Sequence, residues 1–402
     1  MIHRRVGDAD LYFVSNQDPF PAAVSVTFRA GERRPELLEP DSGRIVPAAR
    51  YAVKDGLVTV PLHFDPAGST FVVFRRPVGA ADPVVSLTRD GRPVDAEVAA
   101  PKARIVVERA VYGVNPETNA RSVDITRQVS KAVRNGRLRI IIGNSIAGDP
   151  AQDVVKRALI KYTINGVRKQ VALDENGLLD LPAPADRAPD AKPEPPAPEV
   201  TLAGDRGLTL RVSSAGRYEA RTASSRTVRA TVADLPAART VEGAWDLQFP
   251  LKWGAPEHVT LGALESWTAN ADEGVRHFSG TATYRREIDV PAAMLARGRA
   301  VFLDLGSVRE VAEVKLNGVD LGILWKPPYR VDITRAARPG SNHLAVRITN
   351  LWPNRMIGDA ALPLEKRFTY ATFQPFKPDD PLLESGLLGP VTLQPLATVT
   401  LK

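Results

Sequence analysis

The sequence predicts an all-β protein. Between residues 301 and 352, apolar and polar residues alternate in short runs such as VFLDL, AEVKLNG, YRVDIT and HLAVRITNLW. Turn residues separate these runs, for example at Asn317-Gly318 and Pro327-Pro328. Alternation with a period of two, bounded by Gly, Pro and Asn, is typical of half-buried antiparallel strands. Short strands at even spacing favour β-sandwiches over βαβ units.

The first eighty residues repeat this pattern. Runs of strand length occur at LYFVSN, AVSVTFRA, RPELLEP, GLVTVPLHF and STFVVFRR. Turn residues lie between them at 41–43, 55–56 and 65–68. We therefore predict a small β-sandwich over residues 1–80.

Residues 81–181 predict a second β module. Its strands are expected in ARIVVERAVYGV, GRLRIIIGN, VVKRALIKYTING and KQVALDENGLLDL. A short helix is expected from Gln128 to Arg134, because Val129 and Val133 lie four residues apart and Asn135-Gly136 follows as a stop signal. Asn165-Gly166 predicts a tight hairpin.

A proline-rich segment divides the chain. Seven prolines occur between Pro182 and Pro198, and proline removes backbone donors and favours an extended conformation. Residues 182–199 are therefore predicted to be a linker and residues 200–402 a final β domain. We expect RFTYATFQPF and LLESGLLGPVTLQPL to supply its last strands.

Composition limits the function. The chain has 402 residues, 44% of them hydrophobic, and 53 Lys and Arg against 46 Asp and Glu, giving +7. The basic residues alternate with apolar ones, as on a solvated face, so we expect no nucleic-acid partner. There is no cysteine, hence no disulfide and no thiolate site. No run approaches the ~20 apolar residues of a membrane span, and residues 1–16 do not resemble a signal peptide.

The order of motifs in the last domain resembles a known family. Leu305-Gly306, LNG at 316–318, LGILWKPPYRVDIT at 321–334 and TNLWPNRMIGD at 349–359 resemble the C-terminal region of family 106 glycoside hydrolases, the α-L-rhamnosidases. The same stretch resembles the sugar-binding jelly roll of family 2. The resemblance implies tandem β-sandwiches that end in a galactose-binding-like jelly roll.

The resemblance also bears on the N-terminus. In the rhamnosidase family a stretch similar to IHRRVGDADLYFVSN follows the catalytic barrel. The implied partner is therefore a catalytic barrel, missing on the N-terminal side or present in a partner chain. His3, Arg4 and Arg5 would then be candidates to face the substrate cleft, with a frayed basic terminus as the alternative.

No catalytic site can be assigned from the sequence. The signatures of serine hydrolases, zinc proteases and nucleotide-binding loops are absent. Glycoside hydrolysis needs two carboxyl groups roughly 5 to 10 Å apart. The candidate groups are Asp8 with Asp10, Asp272 with Glu273, and Asp379 and Asp380 with Glu384. Each has an ordinary explanation as a loop residue, and no stretch resembles the family's barrel, so no catalytic residue is carried over.

Aromatic and polar residues of the last domain are candidates for carbohydrate contact. Sugar rings stack on aromatic faces, and their hydroxyls need polar partners. The candidates are Trp267, His277, Tyr284, Trp325, Tyr329, Trp352, Asn354 and Arg355. Core packing is the competing explanation for every aromatic residue among them.

Three functions remain open at this stage. The first is a non-catalytic, carbohydrate-associated portion of a rhamnosidase-like glycoside hydrolase that supports a catalytic barrel and contacts rhamnose-containing glycans. The second is a self-sufficient glycosidase, and the third a free-standing lectin-like module, so whether the chain is an enzyme is undecided. We expect no cofactor and no membrane partner, although the acidic loops would permit calcium. Family members are typically periplasmic or secreted, which does not assign a compartment to this chain.

Overall fold

A computed structural model describes residues 1–402 except residues 18–20, 42, 80, 95–102, 135, 183–195, 204–206 and 373. The side chain of residue 147 is also excluded from the description. The fold is 53% strand and 8% helix, so the prediction of an all-β protein is confirmed. The described residues form two compact units: residues 103–182 make up one, and the rest of the described chain makes up the other.

The first half of the chain contains these strands and helices: β1 (Ile2–Val6), β2 (Ala9–Ser15), β3 (Ala22–Arg29), β4 (Arg33–Leu38), β5 (Ile45–Pro47), β6 (Ala52–Lys54), β7 (Leu57–Phe64), β8 (Ser69–Pro77), β9 (Val84–Arg89), β10 (Arg92–Pro93), β11 (Ile105–Asn115), β12 (Ala120–Asp124), α1 (Thr126–Lys131), β13 (Val133–Arg134), β14 (Arg137–Ile142), α2 (Asn144–Ala147), β15 (Arg157–Ile164), β16 (Val167–Asp174) and β17 (Gly177–Leu181).

The second half contains β18 (Glu199–Ala203), β19 (Gly207–Val212), β20 (Gly216–Thr222), β21 (Thr227–Val232), β22 (Arg239–Thr240), β23 (Trp245–Gln248), β24 (His258–Leu261), α3 (Glu273–Arg276), β25 (Thr281–Val290), β26 (Arg299–Asp304), β27 (Ser307–Arg309), β28 (Val311–Leu316), β29 (Val319–Leu324), β30 (Arg330–Asp332), β31 (Gly340–Thr349), α4 (Pro353–Ala360), β32 (Gly386–Gly389) and β33 (Thr392–Leu401). Single 3-10 turns occur at Trp267–Ala269, Ala292–Leu295 and Leu364–Lys366.

The N-terminal sandwich consists of a five-stranded sheet, β1-β2-β8-β4-β5, and a three-stranded sheet, β3-β7-β6. Every second residue of β7 is buried, from Val58 to Phe64, as the alternation of its sequence predicts. These side chains pack against Tyr12, Phe28 and Phe74 in one core.

The unit of residues 103–182 has a four-stranded sheet, β12-β11-β15-β16, and a three-stranded sheet, β13-β14-β17. Asn165-Gly166 joins β15 to β16, as predicted. The helix differs from its expected bounds, since α1 begins at Thr126 and ends at Lys131. It ends early because Val133 pairs with Leu138 across a hairpin. Asn135, the expected stop signal, lies outside the described residues.

The C-terminal sandwich packs two six-stranded sheets around the largest core of the described chain. One sheet is β18-β19-β33-β26-β30 with β22 on β33, and the other is β24-β23-β25-β31-β28-β29. Asn317 and Gly318 have φ of 52° and 82° and join β28 to β29, as a tight hairpin requires. The Asp332 carboxylate accepts a hydrogen bond from the Thr334 amide at 2.9 Å, as expected for a capped bend.

One sheet crosses the predicted module boundaries. Strand β9 is not among the predicted strands, although its residues fall in the range of the second module. It pairs with β20, which lies in the range of the final domain, in the sheet β10-β9-β20-β21. Most of the predicted linker lies outside the described residues. The domain limits stay a prediction, but this pairing depends on a contact between strands more than a hundred residues apart, which local pattern does not encode.

Close packing requires a glycine at position 306, where the strand ends. Gly306 has φ of +67°, and a Cβ built on it would lie 2.5 Å from the carbonyl atoms of Gly389. Gly318 also has positive φ, but its Cβ would meet nothing within 4 Å.

We expect Gly318→Ala to lower the free energy of unfolding by about 1–2 kcal/mol, the cost of a left-handed backbone. Gly306→Ala should cost at least about 1 kcal/mol more, because it adds the clash with Gly389. Guanidinium unfolding of both variants measures the difference. Equal losses would contradict the close approach at Gly306.

Candidate functional site at the loop end of the C-terminal sandwich

Several loops meet at one end of a C-terminal sheet, which we call the loop end. In register, Thr349 of β31 lies opposite Thr281 of β25 and Val311 of β28. Leu324, the last residue of β29, lies opposite Ala312 at the same end. The loops that leave or enter the sheet there are residues 249–257, 262–280, 325–329 and 350–385.

Two predicted carbohydrate contacts are instead part of the core. Trp267 is 1% exposed and Tyr284 is fully buried. The Tyr284 hydroxyl accepts hydrogen bonds from Trp267 Nε1 at 2.6 Å and from the Leu387 amide at 3.0 Å. Burial raises the pKa of Tyr284. Because neither ring offers a face to solvent, packing replaces the expected stacking on sugar for both residues.

Asn354 is also structural. It is 1% exposed and joins α4 to the end of the long loop 350–385. Its amide donates to the Leu383 carbonyl at 2.7 Å and to Ser385 Oγ at 2.9 Å, and its carbonyl accepts from the Leu383 amide at 2.8 Å. Asn350 donates to the same Ser385 hydroxyl at 3.1 Å. Both the amide group and the carbonyl oxygen of Asn354 are therefore hydrogen-bonded to protein atoms.

Arg355 forms a buried pair with Asp359 one helical turn later. They are 3% and 1% exposed, with Nη1 3.8 Å from Oδ1. Asp359 Oδ2 accepts from Thr369 N at 2.8 Å and Thr369 Oγ1 at 2.6 Å. The guanidinium lies over the ring of Phe368 at 4.6 Å, and burial lowers the pKa of Arg355. The pair pins residues 368–369 to α4 and leaves Arg355 inaccessible to a glycan.

The run RFTYATFQPF is not a strand in its described residues, so that expectation is wrong. Asp359 holds its first part against α4, and Gln374 donates to the Met356 carbonyl at 2.7 Å. Prolines at 375, 378 and 381 also remove ladder donors. The run therefore crosses the loop end as an irregular segment and displays Tyr370, which is 93% exposed.

His277 lies at the edge of this region. Its side chain is 19% exposed and its Nδ1 is 3.3 Å from Glu273 Oε2. It packs on α4 at Gly358, where a Cβ would come within 2.8 Å of the His277 Cβ. A helix-packing role accounts for this residue.

In the loop WKPPY, Tyr329 is buried and anchors the loop, whereas the ring of Trp325 is exposed. Tyr329 is 6% exposed and its hydroxyl donates to the Glu310 carbonyl at 2.8 Å; burial raises its pKa to about 12. Lys326 pairs with Asp41 of the N-terminal sandwich at 2.9 Å. Contacts of Tyr329 and Lys326 thus hold the loop, and Trp325 is 59% exposed.

Trp352 is the second exposed indole, also at 59%. Its carbonyl accepts from Ser279 Oγ at 3.3 Å, and Pro353 follows at the start of α4. The loop end thus carries large, exposed apolar side chains above buried polar side chains that include Asn354 and Asp359. The exposed apolar side chains are Leu251, Trp325, Leu351, Trp352, Leu364, Tyr370 and Leu383. Sequence reasoning missed all but the two tryptophans, because an isolated apolar residue in a loop carries no periodic signal.

The predicted cleft residues lie on edge strand β1, which is exposed throughout. His3 stacks on Tyr12 with ring centres 4.2 Å apart, and its Nε2 is 2.9 Å from Asp10 Oδ1. Arg4 and Arg5 pair in register with Leu11 and Asp10. A role at a substrate cleft stays a prediction for all three.

Five of the seven candidate carboxylates have structural partners, including Glu273, which pairs with Arg276 at 2.6 Å, whereas Asp8 and Asp379 are exposed. Asp10 pairs with Arg33 at 2.9 Å, and Asp272 accepts from the Val275 amide at the start of α3. Asp380 accepts from the Lys377 amide, and Glu384 pairs with Arg309 at 3.0 Å. Within the described residues no group of three or more His, Asp or Glu could hold a metal ion. No described helix is long and apolar enough to cross a membrane.

One buried carboxyl was not foreseen. Asp304 is 3% exposed; its oxygens accept from the Gly306 amide at 2.9 Å and from Gln394 Nε2 at 3.1 Å. Burial raises the pKa of Asp304, and the hydrogen bond from Gly306 and the charge of Arg330 oppose this. A raised pKa suits a general acid, but the enclosing protein atoms keep this carboxyl from a glycosidic oxygen.

Tyr284→Phe should lower the free energy of unfolding by about 2–4 kcal/mol, because the buried donors of Trp267 and Leu387 both lose their acceptor. Tyr329→Phe removes a single hydrogen bond and should cost about 1 kcal/mol. Urea unfolding compares the two variants. If Tyr284→Phe costs no more than Tyr329→Phe, the hydroxyl does not hold the loop end together.

Asp304 predicts a pH-dependent effect. Its raised pKa means that the folded state binds this proton more tightly than the unfolded chain, so its contribution to stability is full at low pH and is lost as the pH rises through the raised pKa. We expect the stability of Asp304→Asn relative to the wild type to increase as the pH rises above the ordinary pKa of an aspartate, by about 1.4 kcal/mol for each tenfold tighter binding of the proton. Urea unfolding at several pH values measures the gain. Asp320→Asn, whose side chain is 67% exposed, is the control, and a gain independent of pH would contradict the assignment.

Comparison with known proteins agrees with the sequence motifs. Residues 1–53 match the family model for α-L-rhamnosidases of glycoside hydrolase family 106. Residues 266–372 match the model for the glycosyl hydrolase 2 galactose-binding domain-like family. Both predicted resemblances are confirmed.

Two relatives cover nearly the whole chain. A putative β-glucuronidase of Formosa agariphila is 27% identical over 100% of this chain, which is 43% of that protein. The structure of the rhamnosidase from Novosphingobium sp. PP1Y matches 98% of this chain and 23% of its own, with 25% identity and a TM-score of 0.54. The chain thus spans less than half the length of either relative. It is similar to the family 106 α-L-rhamnosidases over residues 1–53 and to the glycosyl hydrolase 2 galactose-binding-like domain over residues 266–372.

Proposed function

We propose that this chain is a non-catalytic, carbohydrate-associated portion of an α-L-rhamnosidase-like glycoside hydrolase, and that its loop end packs against a catalytic barrel. The proposal rests on one observation, the large apolar side chains that are exposed at the loop end. They are Leu251, Trp325, Leu351, Trp352, Leu364, Tyr370 and Leu383. Exposed apolar clusters of this kind are typical of interaction surfaces.

The chemistry of the chain supports a role without catalysis. Most of the carboxylates considered for a glycosidase pair are bound by arginine side chains or backbone amides, namely Asp10, Asp272, Asp380 and Glu384. Asp304, whose pKa is raised, is enclosed. A glycosidase needs both carboxyl groups to reach the scissile bond.

The construction of the loop end supports an interface or a glycan contact. Hydrogen bonds from Asn354, Asp359 and Tyr284 hold the loops beneath the exposed rings, so little conformational entropy is lost when a partner binds. Trp325 and Trp352 are the anchors, since tryptophan is enriched among residues that dominate binding energy. Their exposed indoles also suit contact with the apolar faces of rhamnose-containing glycans.

The purified chain should not hydrolyse an aryl α-L-rhamnoside, because no stretch of it resembles the family's catalytic barrel and the buried carboxyl of Asp304 is enclosed by protein atoms. Release of the aryl group, followed by absorbance, measures this. Turnover that disappears in Asp379→Asn, Asp380→Asn or Glu384→Gln would overturn the proposal in favour of a self-sufficient glycosidase.

The loop end can be tested with a separately expressed family 106 catalytic barrel. We expect the chain to bind it and the double variant Trp325→Ala/Trp352→Ala to bind at least tenfold more weakly, since each anchor contributes about 1–2 kcal/mol or more. Val167→Ala removes an apolar side chain that is 60% exposed outside the loop end and should bind normally. Absence of binding, with tight binding of a rhamnose-containing oligosaccharide instead, would favour the lectin-like function.

A further inference from the structure

The positive charge of the chain is concentrated in one unit. Residues 103–182 contain thirteen Lys and Arg and eight Asp and Glu. This excess of five compares with +7 for all 402 residues. In sequence these basic residues are interspersed with apolar ones, so the concentration becomes apparent only when the folded surface is considered.

A hairpin brings three arginines to one face. Val133 pairs with Leu138, which is fully buried, and the next pair is Arg134 with Arg137. Because side chains alternate across a strand, Arg134 and Arg137 lie on the solvent face, and Arg139 shares it. Like charges directly opposite each other are destabilising in a sheet. Asp180 offsets this in part, through Arg137 at 3.0 Å and Arg139 at 3.7 Å.

The helix that leads into this hairpin adds two more charges. Val129 of α1 is buried in the core, and Arg127 and Lys131 lie four residues apart on its exposed side. Neither forms an ion pair with a carboxylate of the described residues, and Arg134 is hydrogen-bonded to the carbonyl of Val133. We call Arg127, Lys131, Arg134, Arg137 and Arg139 the basic face.

We propose that the basic face binds an acidic polysaccharide, through the carboxylate or sulfate groups of its sugars. Guanidinium groups bind such planar or multi-oxygen anions through paired hydrogen bonds. Ile141 and Leu178 pair next to Arg139 and are 57% and 47% exposed. They offer apolar contact to the C–H surface of a pyranose ring.

A polysaccharide fits this surface better than a nucleic acid. Binding of single strands combines basic residues with aromatic rings that stack on bases, whereas both tyrosines in the described part of residues 103–182, Tyr112 and Tyr162, are buried. The choice of a polysaccharide also rests on the proposed carbohydrate association. The basic face itself lies outside the loop end and is tested independently of it.

The test uses the full chain and polygalacturonate as the probe, with affinity electrophoresis or calorimetry at low and physiological salt. We expect saturable binding that weakens with salt, because the contacts are between exposed charges. Arg134→Glu/Arg139→Glu should bind about tenfold more weakly, because each exchange replaces an attractive charge by a repulsive one. Arg134→Glu replaces a repulsive cross-strand pair with Arg137 by an attractive one, whereas Arg139→Glu places a carboxylate opposite Asp180 and costs stability. Circular dichroism establishes that the variant is folded, and Arg134→Glu alone should already weaken binding.

The matched control is Arg104→Glu/Lys161→Glu, which changes the net charge equally at exposed positions associated with the other sheet of the unit. It should bind polygalacturonate nearly as well as the wild type. An equal loss in both variants would mean that net charge alone is responsible and would overturn the proposal. So would the absence of binding at low salt, or equally tight binding of double-stranded DNA. A chain that binds polygalacturonate but not a catalytic barrel would refute the loop-end interface alone.

Discussion

The loop end depends on the rule that buried polar groups must be hydrogen-bonded. The long segment between β31 and β32 contains one short helix, α4, and side chains of that helix hydrogen-bond the backbone of the segment's later part. Tyr284 accepts from Leu387, Asn354 exchanges hydrogen bonds with Leu383, and Asp359 accepts from Thr369. These bonds give this segment of more than thirty residues a defined surface. Without them the exposed rings would have no fixed position.

Ion pairs connect the two sandwiches. Arg330 reaches from β30 toward Asp65 of the N-terminal sandwich at 3.9 Å, and Lys326 pairs with Asp41. Gln394 connects Arg330 to the buried Asp304. The ion pairs are directional, because each joins a charged group of one sandwich to a charged group of the other. The loop end instead exposes apolar side chains, and an apolar surface gains free energy when it is covered.

Much of the fold could be predicted because the information is local. Alternating runs located most strands, and Asn317-Gly318 and Asn165-Gly166 located hairpins, since these dipeptides tolerate positive φ. The run RFTYATFQPF was misread because its aromatic residues satisfy a strand pattern, although its backbone partners lie on α4. The pairing of β9 with β20 escaped prediction for a related reason: strand partners distant in sequence are chosen by tertiary packing.

The candidate site was predictable in composition but not in exposure. Residue type selected Trp267, Tyr284, Trp325 and Trp352 alike. The sequence around an aromatic residue near a turn does not show whether its ring faces the core or solvent. By itself the sequence determined the all-β class, the strand periodicity and the kinship with rhamnosidases, since these reside in short-range pattern and motif order. Only the tertiary structure decided which rings are buried, that Asp304 is enclosed, and that Arg134, Arg137 and Arg139 share the solvent face of one sheet. Burial and proximity are properties of surfaces brought together from distant parts of the chain.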